Sequence, residues 1–303
     1  MKRITSLLIS LGLVLSLSAQ VHRIEVQDAP ALKTFFSWSA DRIPLISAHR
    51  GGPMPGFPEN CIETFEHTLS YTPAIIECDV VMSKDRHLLM LHDSNLDRTT
   101  TGKGPVKDYT WEQLKRLKLI DNQGNKTKFR IPDLDQVLEW ARNKVILTLD
   151  IKRGVPPAMV VQKIQQHQAQ NYALVITYNL DQAKTYYQLD PSIMLSVSIR
   201  NKEQLEAFAQ SGIPFSQIIV FMGVGKYEKE VMAALHQKEV FCMLGTMWNQ
   251  DKKAKEEGPA VYQQLIEEGI DMLATDQPQI ADQALEAYFL RKSSKHQYFK
   301  VDK

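Results

Sequence analysis

KVILTLDIKRGVPPAMVVQKIQQHQAQNYALVITY, residues 144–178, holds two short apolar runs, KVILTLDIK and ALVITY, on either side of PPAMVVQKIQQH, a segment of helical period. Two runs rich in β-branched residues, joined by a helix, read as a parallel βαβ unit. The same alternation continues in both directions. Further runs are LISAH (45–49), AIIECDVVM (74–82), HLLMLHD (87–93), IMLSVSI (193–199), QIIVFMG (217–223), VFCMLGT (240–246) and DMLATD (271–276). Helix candidates between them include CIETFEHTL, DLDQVLEWA, LDQAKTYYQL, KEQLEAFAQ, EKEVMAALHQ and AVYQQLIEE. About eight such units over roughly 250 residues match the size of a (β/α)₈ TIM barrel. A doubly wound sheet would carry a Gly-rich first turn, but no G-x-G-x-x-G follows a strand here. GVGKY (223–227) also lacks P-loop spacing.

The remaining segments set the expected domain organisation. Lys2 and Arg3 precede an apolar run that ends in small residues before Gln20, the pattern of a signal peptide over residues 1–20. That run is short for a membrane span. The expectation is a secreted or periplasmic chain with no stable membrane insertion of the mature protein. Residues 21–44 form an N-terminal extension and 45–290 the barrel, with a polar insertion at about 94–130 standing over one face. Residues 291–303 read as a basic, solvated tail. Asn60 with Glu63, and Thr110 with Gln113, read as helix-start caps.

The chain has 303 residues and a formal net charge of +1. So even a balance gives no support to broad capture of nucleic acid or of an anionic membrane. Cys61, Cys78 and Cys242 are too few and too scattered for a disulfide framework or a zinc site, and read as buried thiols.

Chemistry collects where a barrel would place it, at the C-terminal ends of the strands. One run ends in His49-Arg50, another in His92-Asp93. Side chains alternate along a strand, so Glu77 and Asp79 share a face that Cys78 does not, and Asp150 and Lys152 likewise share one. Acids on a strand interior are costly to bury unpaired. A single divalent cation, Mg²⁺ or Ca²⁺, held by Glu77, Asp79 and Asp150 would remove that cost with oxygen ligands alone. The plainer alternative is an ion-pair network with Lys152 and Arg50. Two histidines suit a general acid and base, and Arg50 and Lys152 suit a phosphate. A glycosidase would rely on a close carboxylate pair without so much positive charge.

The ordered set HRG (49–51), PEN (58–60), ECD (77–79), LHD (91–93), LDRTTTGKG (96–104), IPDLDQVL (131–138), DIK (150–152) and TDQP (275–278) resembles the glycerophosphodiester phosphodiesterase family. The likeness runs from residue 45 to about 285. It implies a TIM barrel with a small insertion and a small-molecule glycerophosphodiester substrate. It also implies His49 and His92 as the acid/base pair, Glu77 and Asp79 as metal ligands, and Arg50 and Lys152 on the phosphate. Glu59 would lie near Arg50 and the metal, Asn60 would support the site, and Trp248 would form its edge. There are two departures, Asp150 where the family has glutamate and Cys61 where threonine is common. Rival readings are a related barrel phosphodiesterase acting on phospholipids, which a surface basic patch would favour, and a non-catalytic extracytoplasmic binding protein.

Overall fold

A computed structural model describes residues 21–302; the expected signal peptide lies outside the described residues. Eight parallel strands close into a barrel: Leu45–Ala48 (β1), Ile75–Met82 (β2), Leu147–Ile151 (β3), Ala173–Thr177 (β4), Leu195–Ser198 (β5), Ile218–Val224 (β6), Cys242–Gly245 (β7) and Met272–Thr275 (β8). Closure comes from β8 pairing with β1, Ala274 beside Ser47, and β1 pairing with β2. Helices follow the strands on the outside, as the alternating runs require. Several begin with a side chain that accepts from the orphan amides of the first turn. Asp133 accepts from Gln136 N at 2.8 Å, Asn179 from Gln182 N and Asn201 from Gln204 N, both at 2.9 Å.

The side-chain alternation divides the core into two layers. Outward residues such as Ile46, Cys78, Leu149, Val175 and Leu244 pack under the helices. Inward residues Leu45, Ile75, Ile146, Leu174, Met194, Ile219 and Met272 fill the lower barrel. The helix Ala29–Phe36 plugs that end with Leu32, Phe35 and Phe36. Burying a side chain of this size contributes about 1.5–3 kcal/mol, so the lower half is a packed core and not a channel.

HLLMLHD does not supply a barrel strand. Leu88–Met90 runs antiparallel to β2, with Val81 beside Leu89, because only a few residues separate the two and a parallel return needs a long crossover. The insertion that follows contains the short helix Trp111–Leu114 and a hairpin of Lys118–Ile120 with Lys126–Arg130. A small core of Leu89, Leu96, Val106, Leu114, Leu119 and Ile131 holds it. Thr110 and Gln113 form the expected capping box, with Thr110 N donating to Gln113 Oε1 at 2.9 Å.

The C-terminal segment is not a solvated tail. Phe299–Asp302 pairs antiparallel with Val21–Ile24, and Tyr298 and Phe299 pack on Phe35 with ring centroids 5.2 and 6.1 Å away. Buried Lys295 donates to Thr34 O and Ser37 O at the end of the plug helix. Its positive charges hid this aromatic anchoring. All three cysteines are free and buried, as expected. No helix among the described residues is long and apolar enough to cross a membrane.

Candidate active site

The strand β1 ends in a 3₁₀ turn, His49–Gly51, with Arg50 at φ 52° and Gly51 at φ 85°. A side chain on Gly51 would collide with the Phe65 ring, so the glycine is required twice over. The turn points Arg50 N back across the barrel, where it donates to Glu77 Oε2 at 2.7 Å. The Pro-rich loop then returns to the same place. Asn60, at φ 59°, donates through its backbone to Arg50 O at 3.0 Å. Its side chain donates to Asp79 Oδ2 at 2.7 Å and accepts from Asp79 N at 2.8 Å. Asn60 is therefore not a helix cap. Cys61 occupies that position without a side-chain capping bond, because both ends of the Asn60 amide are spent on β2.

Register brings the acids together. Asp79 lies beside Asp150 across the β2–β3 pair, and ligand oxygens of Glu77, Asp79 and Asp150 all fall within 4.8 Å of one another. Lys152 Nζ sits 2.6 Å from both Asp79 Oδ1 and Asp150 Oδ2, and Arg50 Nε is 3.8 Å from Asp79 Oδ2. These cations meet part of the ion-pair alternative. They leave a remainder. Asp150 Oδ2 also accepts from Tyr178 Oη at 2.7 Å, whereas Asp150 Oδ1 is buried without a partner. Burial, then the charge of Asp79, pushes the Glu77 carboxyl well above its ordinary range. Three buried acids, one unmet oxygen and an all-oxygen donor set fit a hard divalent cation.

Each histidine has its Nδ1 held by a carboxylate. His49 Nδ1 is 2.7 Å from Asp276 Oδ1, and His92 Nδ1 is 2.8 Å from Asp93 Oδ1. In both rings Nε2 remains for the cavity. Burial alone would lower the His49 pKa, but the Asp276 bond and the charge of Glu77 outweigh it and hold the imidazolium above its ordinary value. Arg98 links the two halves of the site. It donates to both Glu59 oxygens at 2.8 Å and to Asp93 Oδ2 at 2.7 Å. Glu59 in turn accepts from Arg50 Nη1 at 3.1 Å. Arg98 holds Asp93 down to about 2, and although burial opposes it, Arg98 and Arg50 also keep Glu59 below its usual range.

A cavity of about 640 Å³ collects His49, Arg50, Glu59, Glu77, His92, Asp150, Lys152 and Trp248. Asp79 lies beneath Lys152 and Asn60 behind Asp79, so every expected site residue falls in one place. Trp248 stands at the rim, 74% exposed, with φ at 73°. Four partners carried no assigned role in the sequence. Asp276, Asp93 and Arg98 were present in TDQP, LHD and LDRTTTGKG, so the signal existed; Tyr178 gave none. Ser47, Thr148 and Ser196 line the cavity as well, and the hydroxyls of Thr148 and Ser196 are buried without partners.

Paired histidines, clustered acids and basic groups at the C-terminal rim of a (β/α)₈ barrel define the chemistry of a phosphoric diester hydrolase. Comparison with known proteins narrows this class. Residues 49–280 match the glycerophosphoryl diester phosphodiesterase family. A glycerophosphodiester phosphodiesterase of Bacillus altitudinis is 30% identical over 241 residues, covering 77% of this chain and 94% of the relative. The crystal structure of a glycerophosphoryl diester phosphodiesterase from Parabacteroides distasonis superposes with a TM-score of 0.88 at 37% identity, over 93% of this chain and all of that one. A phosphodiesterase of Oleispira antarctica, solved with sn-glycerol-3-phosphate, shares the fold at 20% identity and a TM-score of 0.63, over 80% of this chain and 97% of that one. The chain belongs to the glycerophosphoryl diester phosphodiesterase family, and its activity class is glycerophosphodiester hydrolysis.

Proposed function

We propose that this chain hydrolyses a glycerophosphodiester to glycerol 3-phosphate and an alcohol, with His49 and His92 as the acid/base pair. The observation that carries this reading is that both histidines are fixed at Nδ1 by carboxylates while lining one cavity with the acid cluster. Glu77, Asp79 and Asp150 would hold one divalent cation, Mg²⁺ or Ca²⁺, which would polarise the phosphoryl oxygen and offset its charge. Arg50 and Lys152 present donors to the phosphate, and their carboxylate partners keep them oriented.

One histidine takes the proton of the glycerol 2-hydroxyl as that oxygen attacks phosphorus. The other gives its proton to the departing alcohol oxygen as the P–O bond breaks, leaving a cyclic phosphate. Water then attacks with the proton roles exchanged, and the ring P–O bond opens to glycerol 3-phosphate. The Bacillus altitudinis relative is a glycerophosphodiester phosphodiesterase, and the Oleispira protein was solved with this product. Residues 1–20 are read as an export signal, which would place the reaction outside the cytoplasm.

The test is glycerol 3-phosphate release from glycerophosphocholine after chelation, then with Mg²⁺ or Ca²⁺ restored, beside His49→Ala. Release should return with the cation, and the variant should lose about a thousandfold in turnover while keeping its thermal midpoint. Unchanged turnover in the variant would remove His49 from the reaction.

A further inference from the structure

The near-neutral total conceals a strong local imbalance. The insertion, residues 94–130, carries nine lysines and arginines against four aspartates and glutamates, so the remainder of the chain has the opposite sign. Five of these cations, Lys115, Arg116, Lys126, Lys128 and Arg130, line two adjoining hollows. Along the strand Lys126–Arg130 exposure alternates, and Lys126, Lys128 and Arg130 share the solvent face. Arg116 is exposed beside them. Lys115 pairs with Glu112 at 2.6 Å. Among the described residues, no carboxylate oxygen lies within 4.0 Å of the charged nitrogens of Arg116, Lys118, Lys126, Lys128 or Arg130. Two acids, Glu63 and Glu66, line the far wall of the same groove, and Glu66 already accepts from Trp140 Nε1 at 3.1 Å. Half-buried Trp111, Phe129 and Ile62 stand among the cations.

This surface is continuous with the catalytic cavity. Glu59 and Asn122 line both the cavity and a hollow at Arg98 and Asp121. Asp121 is shared with a second hollow at Lys126 and Lys128. Lys128 and Phe129 are shared in turn with the basic groove. From these observations we infer that the insertion docks the enzyme on an anionic phospholipid bilayer, with the cations on headgroup phosphates and the aromatics in the interface. Charge complementarity favours such a surface. Apolar groups interleaved with the cations suit an interface of polar and apolar depth better than a fully hydrated polyanion. A bilayer also presents glycerophosphodiester headgroups, the chemistry the adjoining cavity accepts. The contact is peripheral and needs no membrane-spanning element. It goes beyond the catalytic reading and rests on that reading only where the headgroups are matched to the cavity.

The experiment is co-sedimentation of the purified protein with vesicles of phosphatidylcholine alone and of phosphatidylcholine mixed with phosphatidylglycerol, at low and high salt. The comparison variant carries Arg116→Glu, Lys126→Glu and Lys128→Glu in the same full-length background, so residues 1–20 contribute equally. Arg130 is left intact because Nη1 donates to Lys115 O and Arg116 O. The wild type should bind the phosphatidylglycerol vesicles more strongly than phosphatidylcholine alone, and salt should remove that excess. The variant should bind on the order of a hundredfold more weakly, with hydrolysis of soluble glycerophosphocholine unchanged. Should charge reversal disturb folding, Lys126→Gln with Lys128→Gln should still weaken binding about tenfold. Equal binding to both vesicle types would overturn the inference. So would a variant that sediments like wild type, or capture by heparin without capture by the vesicles. Sedimentation is read without turnover, so its result stands apart from the assay of the catalytic reading.

Discussion

Both ends of the barrel bring three metal-competent side chains within 4.8 Å, His236, Cys242 and Asp271 at the N-terminal end and Glu77, Asp79 and Asp150 at the C-terminal end. By composition either is a candidate site. Their hydrogen bonds separate them. Asp271 is fully buried and both of its oxygens are engaged, by Arg42 Nε on one side and by His236 Nε2 at 2.9 Å and Cys242 N at 2.7 Å on the other. Trp38 stacks on His236 with centroids 4.5 Å apart and seals the group. At the other end Asp150 Oδ1 has no partner and two more acids crowd it. A buried acid that is fully paired is a structural joint, whereas one left short of donors beside a cavity awaits something the chain does not supply.

The sharpest way to break that contrast is to remove one acid from each end. Asp150→Asn should lower turnover about a thousandfold and abolish any rise in thermal midpoint on adding Mg²⁺ or Ca²⁺. It relieves like-charge repulsion with Glu77 and Asp79 while Lys152 keeps Asp79 as its partner, so stability in chelator should change little. Asp271→Asn should do the reverse. It strands Arg42 and should cost about 3 kcal/mol of stability, with turnover per folded molecule and the cation response intact. Denaturant unfolding and steady-state kinetics on the two variants decide it. A cation-dependent stability change in Asp271→Asn would make the lower cluster a metal site.

The same contrast explains what the sequence could disclose. Alternating runs and helix periods follow from local residue pattern, so the strands from LISAH to DMLATD were legible. Glu77 and Asp79 share a face by alternation alone. Asp276 reaches His49 across 227 positions, and that pairing depends on β8 closing against β1, which no local pattern specifies. Only the cap reading of Asn60 failed, because a cap and a tertiary clasp use the same side chain, and only the position of β2 distinguishes them. HLLMLHD has the composition of a barrel strand, yet its short connection to β2 forces it antiparallel. The tail was misread through its charge, since Lys295 reads as solvated until a helix end is found beneath it.

Within the upper site the two histidines are held differently, and that difference is the second thing to test. Asp276 stands on the barrel, but Asp93 is itself held by Arg98, a residue of the insertion. Arg98 is thus a positioning residue acting through Asp93 and Glu59. Arg98→Met should reduce kcat about a hundredfold with a smaller change in KM, and Arg98→Lys should restore part of it. The pH profile supplies the sign. Asp93 is held at about 2, so it stays ionised through the acid range and is protonated only as pH falls through that value. Without Arg98 its carboxyl returns toward the ordinary 3.8 and Glu59 toward 4.5, and the acid loss of activity should begin at higher pH. An acid limb that stays in place while kcat falls would limit Arg98 to packing.

The smallest effect concerns the aspartate that departs from the family's glutamate. Asp150 is one methylene shorter, and its carboxylate is braced at Oδ2 by Lys152 at 2.6 Å and Tyr178 Oη at 2.7 Å. Both bonds fall on one oxygen and leave Oδ1 buried without a partner. Desolvation of its hydroxyl and the charge of Asp150 raise the Tyr178 phenol above its ordinary range, so it stays a donor at neutral pH. Tyr178→Phe removes that donor and keeps the ring that lines the cavity. Cation affinity, read by titration calorimetry, should fall about tenfold, with thermal stability in chelator changed by less than about 0.5 kcal/mol. A loss of stability with unchanged affinity would make the ring, and not its hydroxyl, what the site requires. An affinity loss confined to the smaller Mg²⁺ would show that the brace sets the fit of the ion, because a short carboxylate held from one side tolerates less adjustment than a free one.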